Sequence, residues 1–135
     1  MFKVGNSYIK NRFQNIDGEI YYFDSDGKCA TGWQTIGGKT YCFKSGCQMY
    51  LRWKRIDGKK YYFDPISGYM HTGWEWVAEQ NAWYYLDPDE GYLVSGWQTI
   101  DGKEYYFNSD NKMVTGTQTI GGLTYTFGSN GVLQQ

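Results

Sequence analysis

The phrase Gly-Trp-Gln-Thr-Ile-x-Gly-Lys-x-Tyr-x-Phe occurs at Gly32–Phe43 and again at Gly96–Phe107. Weaker copies start at Phe13, Trp53, Trp74 and Thr117, so the anchors Phe13, Trp33, Trp53, Trp74, Trp97 and Thr117 are spaced by 20, 20, 21, 23 and 20 residues. A short fixed period means stacked supersecondary units, each too small to bury its own apolar face. It excludes an ordinary globular domain with one irregular active site. Residues 1–135 read as a single array of about six repeats, and function is to be sought in what the stack displays repeatedly.

Each unit reads as a hairpin. Aromatic runs such as Tyr61-Tyr62-Phe63 and Tyr105-Tyr106-Phe107 favour strands, and the Gly-Gly and Asp-Gly pairs before them favour tight turns. Trp33–Ile36 forms one strand, Gly37-Gly38 the turn and Lys39–Lys44 the second strand, with a connecting loop over Ser45–Arg52. No helical period of useful length exists. The chain is predicted to be all-β and almost free of helix.

Comparison among the copies separates inside from outside. The slot eight residues after the anchor holds Tyr21, Tyr41, Tyr61, Tyr105 and Tyr125, with Tyr84 displaced by a two-residue insertion. The slot ten residues after it holds Phe23, Phe43, Phe63, Phe107 and Phe127, with Leu86 in the long copy. The strand period of two puts both slots on one face, predicted to be the core, joined by Ile16, Ile36, Ile56, Ile100 and Ile120. The other face carries Ile20, Thr40, Lys60, Trp83, Glu104 and Thr124, then Tyr22, Cys42, Tyr62, Tyr85, Tyr106 and Thr126. Where Trp and Tyr line the groove between hairpins, they form a repeated aromatic site.

Thirteen basic against fourteen acidic residues, with no long basic run, argue against a nucleic-acid partner. No apolar run approaches the roughly 18 residues of a membrane span. Residues 1–12 read as the second half of a repeat, because Ile9 precedes Phe13 by the interval at which Cys29, Met49, Met70, Leu93 and Met113 precede their anchors. The chain therefore reads as a piece of a longer array, and the lack of a secretion signal says nothing of where the parent goes.

Cys29, Cys42 and Cys47 are odd in number, which fits neither a disulfide scaffold nor a four-ligand metal site. The preferred reading makes Cys29 and Cys42 small apolar substitutes in a methionine slot and a tyrosine slot; a Cys42–Cys47 bridge across the turn is the alternative. Asp24-Ser25-Asp26-Gly27 and Asp87-Pro88-Asp89-Glu90-Gly91 lack the spacing of a calcium loop and read as turn residues. His71, the single histidine, reads as a surface residue. No catalytic constellation, metal site or cofactor site is expected.

The motifs Thr-Gly-Trp, x-Gly-Lys-x-Tyr-Tyr-Phe and Gly-x-Met resemble the cell-wall-binding, or choline-binding, repeats. They are similar also to short C-terminal repeats of large clostridial toxins and of glucan-binding proteins. The resemblance covers the chain from about residue 7, most strongly at Thr31–Ile36 and Ser95–Lys103. It implies a solenoid of tandem β-hairpins wound as a left-handed superhelix, secreted or held at a bacterial cell surface. It also implies a cage built from the anchor Trp, a Trp before the Tyr-Tyr pair, an aromatic of the next hairpin and the Met-slot residue, in which ring faces hold a quaternary ammonium.

The Trp before Tyr-Tyr is present once, as Trp83. Trp74, Trp83, Tyr85, Leu93 and Trp97, with Tyr106 of the next hairpin, are thus the best-equipped candidate site. Trp33, Trp53 and Tyr62 belong to partial cages, and Lys60 would repel a cation. Trp76 is expected to be exposed, as a sugar platform or a cap over the groove. The resemblance implies a non-catalytic module for choline-bearing teichoic acid or another wall polymer. The rival readings are a carbohydrate-binding repeat region that takes a glycan, and a structural spacer whose rings only pack. Unpaired hairpins at the ends would favour a homodimer.

Overall fold

The computed structural model describes residues 3–4 and 7–134, the first four by backbone alone. The strands are β1 (Lys3–Val4), β2 (Ser7–Tyr8), β3 (Arg12–Ile16), β4 (Glu19–Phe23), β5 (Gly32–Ile36), β6 (Lys39–Phe43), β7 (Arg52–Ile56) and β8 (Lys59–Phe63). They continue as β9 (Gly73–Val77), β10 (Ala82–Leu86), β11 (Gly96–Ile100), β12 (Lys103–Phe107), β13 (Gly116–Ile120) and β14 (Leu123–Phe127). Each pairs with its sequence neighbour in a two-stranded antiparallel sheet, and a single 3-10 turn, Ala78–Gln80, is the helical content among the described residues. The all-β hairpin-repeat expectation holds. Ile9 is buried, as its slot predicts; residues 1–2 and 5–6 of the expected half-repeat lie outside the described residues.

The turns follow from local chemistry. At Asp17-Gly18 and Gly37-Gly38 both turn residues have positive φ (53° and 87°; 60° and 80°), the backbone that fits the right-handed twist of a two-residue hairpin. The long β9–β10 hairpin instead closes through the 3-10 turn and the left-handed Asn81, which restores the register Ala82↔Val77 through Leu86↔Gly73.

Two strands cannot enclose a core, so the connecting loops complete it. The chain divides into two compact units, Met1–Ile56 with Tyr61–Met70, and Asp57–Lys60 with His71–Gln135. In the first unit, the amides of Met49 and Met70 donate to the carbonyls of Ile20 and Thr40 at 2.9 and 2.7 Å. In the second, Leu93, Met113 and Leu133 donate to Lys60, Trp83 and Glu104 at 2.8, 2.9 and 2.9 Å. Each Met-slot residue also bridges its own hairpin, as in Phe43↔Met49 and Phe107↔Met113. The loop after one hairpin is thereby tied to the second strand of the hairpin before it.

The Phe slot of the predicted core face is buried throughout. In its Ile slot Ile100 is buried and Ile16, Ile36, Ile56 and Ile120 are half-buried, and Cys42 of the predicted outer face is buried as well. Phe23, Phe43, Phe63, Leu86, Phe107 and Phe127 are all buried, with Tyr41, Tyr84 and Tyr105 beside them. In the first unit Tyr41, Phe43 and Met49 form one cluster; in the second Val94, Ile100, Tyr105 and Phe107 form another. Two turn lysines each lie over an aromatic at the edge of a cluster: Lys39 Nζ lies 4.3 Å from the Tyr69 ring centre and Lys59 Nζ 4.1 Å from that of Tyr92.

The acidic loop residues organise backbone. Asp24 Oδ1 accepts from the amides of Asp26 and Lys28 at 2.9 and 3.0 Å, and Asp87 Oδ1 from those of Asp89 and Glu90 at 2.9 and 2.8 Å. Their carboxylates are committed to turns, as expected.

The structure corrects the reading of the cysteines. Cys29 and Cys47 form a disulfide, with Cα atoms 5.8 Å apart, while Cys42 is a buried thiol. The reason lies in a loop slot that is glycine in most copies. At Gly68, φ is +80° and a Cβ would overlap the Met49 side chain, whose Cγ and Cε would lie only 2.9 and 3.0 Å away. Gly131 has the same relation to Met113, with Cγ and Cε 2.9 and 2.8 Å from where a Cβ would sit. Cys47 occupies this slot with φ +77°, and the residue in the position of Met49 is Cys29. A methionine–glycine contact has been replaced by a cysteine pair, and the shorter side chain at 29 admits the Cβ at 47. The slots of Cys29 and Cys42 taken singly do not reveal it.

His71 is also corrected. It is partly buried, and its Nδ1 lies 2.7 Å from Glu75 Oε1, so the ring is fixed at the start of β9 rather than free on the surface.

Candidate functional site: an aromatic cage in the second unit

An anchor ring is placed by two neighbours. In the hairpin register Trp74 faces Tyr85 and Trp97 faces Tyr106, and the rings meet edge-on at 5.1 and 5.2 Å. On its other side each anchor meets the Tyr and Phe core slots of the following hairpin. Trp74 lies 4.9 Å from Tyr105 at 69° and 5.9 Å from Phe107; Trp97 lies 4.9 Å from Tyr125 at 73° and 5.8 Å from Phe127. Trp33 repeats this in the first unit, 4.9 Å from Tyr61 and 5.8 Å from Phe63.

Only at Trp74 is a further wall added. Trp83, two residues before Tyr85 on β10, stands 6.1 Å from Trp74 with its plane turned by 89°. Trp74, Trp83, Tyr105 and Met113, with Ser129 and Asn130, line a cavity of about 350 Å³. The polar lining consists of uncharged side chains, and none of the lining residues is a lysine or arginine. Two perpendicular indoles, a phenol and a thioether present π faces and a polarisable sulfur to one space. That environment attracts a cation with no hydrogen-bond donors, because ring quadrupoles substitute for water around it.

Of the residues singled out in the sequence, Trp74 and Trp83 line this cavity together. Tyr85 packs edge-on against Trp74, and burial, followed by the charges of Asp101, Asp87 and Asp89, raises its phenol pKa, so it remains neutral. Leu93 bridges Leu86 in its own hairpin, Trp97 covers Tyr125, and Tyr106 packs under Trp97. None of these three lines the cavity; Tyr105 and Met113 take their places. Tyr106 is committed to Trp97 by cross-strand register, leaving Tyr105 for the preceding anchor. The register was readable from the turn at Asp101-Gly102. The place of Met113, 30 residues after Trp83, was not. Trp33 is exposed over Tyr61 with Thr40 in the position of Trp83, and Trp53 meets Tyr62 at 4.7 Å.

Tandem hairpins with an aromatic anchor and a Met-slot loop define a class of repeat-built surface-binding modules. The chain belongs to the choline-binding repeat family, whose pattern matches residues 11–46, 52–95 and 94–132. It is 37% identical to choline binding protein F of Streptococcus pneumoniae, whose structure was determined in the presence of a peptidoglycan analogue, a tetrasaccharide-pentapeptide. That likeness has a TM-score of 0.85 and covers 90% of this chain and 40% of that one. CbpJ of the same species is similar at 35% identity and TM-score 0.83, over 90% of this chain and 41% of that one. The modular autolysin LytC, also of S. pneumoniae, is 26% identical with TM-score 0.57, over 94% of this chain and 33% of that one. The chain thus spans less than half the length of each. No curated protein sequence matches it. Among the described residues no helix is long and apolar enough to cross a membrane. The chain is a binding module built of choline-binding repeats.

Proposed function

We propose that the chain is a non-catalytic attachment module that retains its parent protein on a choline-bearing wall polymer, with the Trp74–Trp83–Tyr105–Met113 cavity as its strongest ammonium site. The observation that carries this reading is the perpendicular Trp74–Trp83 pair closed by Tyr105. A spacer would need only the packing contacts that Trp97 and Trp33 already make. The added wall at Trp83 leaves a cavity instead of filling one, and its ring is 40% exposed. Weak single sites suffice for retention, because a polymer offers many choline groups and each further contact is intramolecular.

Secretion is part of the proposal. The Cys29–Cys47 disulfide supports it, since such bonds persist in oxidising compartments outside the cytoplasm.

The test is retention on a resin bearing immobilised choline. The chain is expected to bind and to elute with millimolar free choline but not with equimolar ethanolamine, whose ammonium can satisfy itself with water. Passage through the resin, or equal elution by both amines, would contradict the proposal.

A further inference from the structure

Trp76 is unexplained by the cage. Two residues after the anchor, the other copies carry Asn15, Thr35, Arg55, Thr99 and Thr119; only the long hairpin has an aromatic there. Register places Trp76 directly across from Trp83. The two rings lie 5.4 Å apart at 51°, exposed by 44% and 40%, as an open V on the solvent face of β9–β10. They line a second cavity of about 820 Å³, within the usual range for ligand sites. Trp83 lines both cavities.

The rest of this cavity is mostly polar, with Ala82, Met113, Val114 and Ile120 also in its lining. Asn81, Lys112 and Thr119 line it and make no side-chain hydrogen bond with the described residues. Gln118 also lines it and spends its Nε2 on the Thr115 carbonyl at 2.9 Å, while its amide oxygen accepts no hydrogen bond from the described residues. An open aromatic platform rimmed by unspent amide, hydroxyl and ammonium groups differs chemically from the neighbouring cage. Its lining is mainly polar, where that of the cage is mainly apolar. It suits a ring with an apolar C–H face and a rim of hydroxyls.

We infer that this groove binds a neutral oligosaccharide, with one pyranose stacked on Trp76 and Trp83 and its hydroxyls bonded by Asn81, Gln118 and Thr119. The groove shares Trp83, Met113 and Ser129 with the ammonium site, while Trp76, Asn81, Gln118 and Thr119 line the groove alone. A ligand carrying both a sugar chain and a choline group would meet the two cavities on either side of one indole.

A cross-strand Trp pair also steadies a hairpin, so the test separates binding from stability. The side-chain indole N–H signals of the whole chain are followed by NMR during titration with cellotriose and chitotriose, and separately with choline. One or both trimers are expected to move the Trp76 and Trp83 signals saturably. Trp76→Thr, which installs the residue of the Thr35 and Thr99 slots, is expected to weaken trimer binding at least tenfold and to leave the choline titration unchanged. No movement of the Trp76 signal by either trimer overturns the inference, even where choline binds normally. Trimer binding by Trp76→Thr equal to that of the parent chain overturns it too. A trimer response without a choline response supports the groove and removes the ammonium reading instead.

Discussion

The amide of Met113 donates to the carbonyl of Trp83 at 2.9 Å, and this one bond connects the loop behind β12 to the strand that carries the extra cage wall. It fixes the height of the Met113 thioether against the Trp83 indole, so the same rung that ties one hairpin to the next also brings together two walls of the cavity. Equivalent rungs hold Met70 to Thr40 and Leu133 to Glu104, where the side chain in the position of Trp83 supplies no ring. The scaffold for a cage is therefore general, and its completion is local.

A missing wall should accordingly be installable. Trp33 stands over Tyr61 and Phe63 at 4.9 and 5.8 Å, against 4.9 and 5.9 Å for Trp74 over Tyr105 and Phe107, and the Met70 rung is in place. Thr40→Trp is expected to add one equivalent of bound choline by calorimetry. An unchanged stoichiometry would mean that the Trp83 slot does not determine occupancy.

The repeat period, the hairpin turns and the buried Phe slot were legible in the sequence because each copy repeats the same local constraint. Trp74 and Trp83 were legible for the same reason, as the one hairpin carrying both rings. The partners Tyr105 and Met113 depend on which face of the next hairpin meets the anchor, and no single copy records that. The disulfide was hidden in a different way. Cys29 and Cys47 lie in different slots of consecutive copies, and only the Met49–Gly68 contact shows that those slots touch.

That contact makes a non-additive prediction. Cys29→Met breaks the disulfide, worth about 3 kcal/mol for a loop of this length, and sets a methionine against the Cβ of Cys47. Cys29→Met combined with Cys47→Gly restores the pair found at Met49–Gly68. The double variant should unfold at a higher denaturant midpoint than the single one. If the second substitution only adds to the damage, the slot correspondence is wrong.

Arg52 has φ +64° in the position that is glycine at Gly32, Gly73, Gly96 and Gly116. Left-handed backbone costs a residue with a Cβ about 1–2 kcal/mol, partly offset by the larger unfolded-state freedom of glycine. Arg52→Gly should stabilise the chain by about 0.5–1 kcal/mol in chemical unfolding. A loss of stability would show that the arginine side chain makes a contact worth more than the strain.

Burial raises the phenol pKa of Tyr41, Tyr84 and Tyr85 above the ordinary 10.0, with nearby carboxylates adding to the effect at Tyr84 and Tyr85. Above pH 10 the unfolded chain ionises these groups while the folded chain resists. Stability is therefore fully present below about pH 10 and falls as pH rises through the folded values. Thermal unfolding at pH 9 and pH 11 should show the drop, and Tyr84→Phe should reduce it.

The central claim rests on Trp83, and a choline titration followed by tryptophan fluorescence tests it most directly. A desolvated ring face contributes about 0.5–2 kcal/mol to holding a quaternary ammonium. Trp83→Thr should accordingly weaken choline binding about twofold to thirtyfold, while loss of the cross-strand contact with Trp76 costs the fold at most about 1 kcal/mol. Choline binding by Trp83→Thr with the affinity of the parent chain would contradict the account.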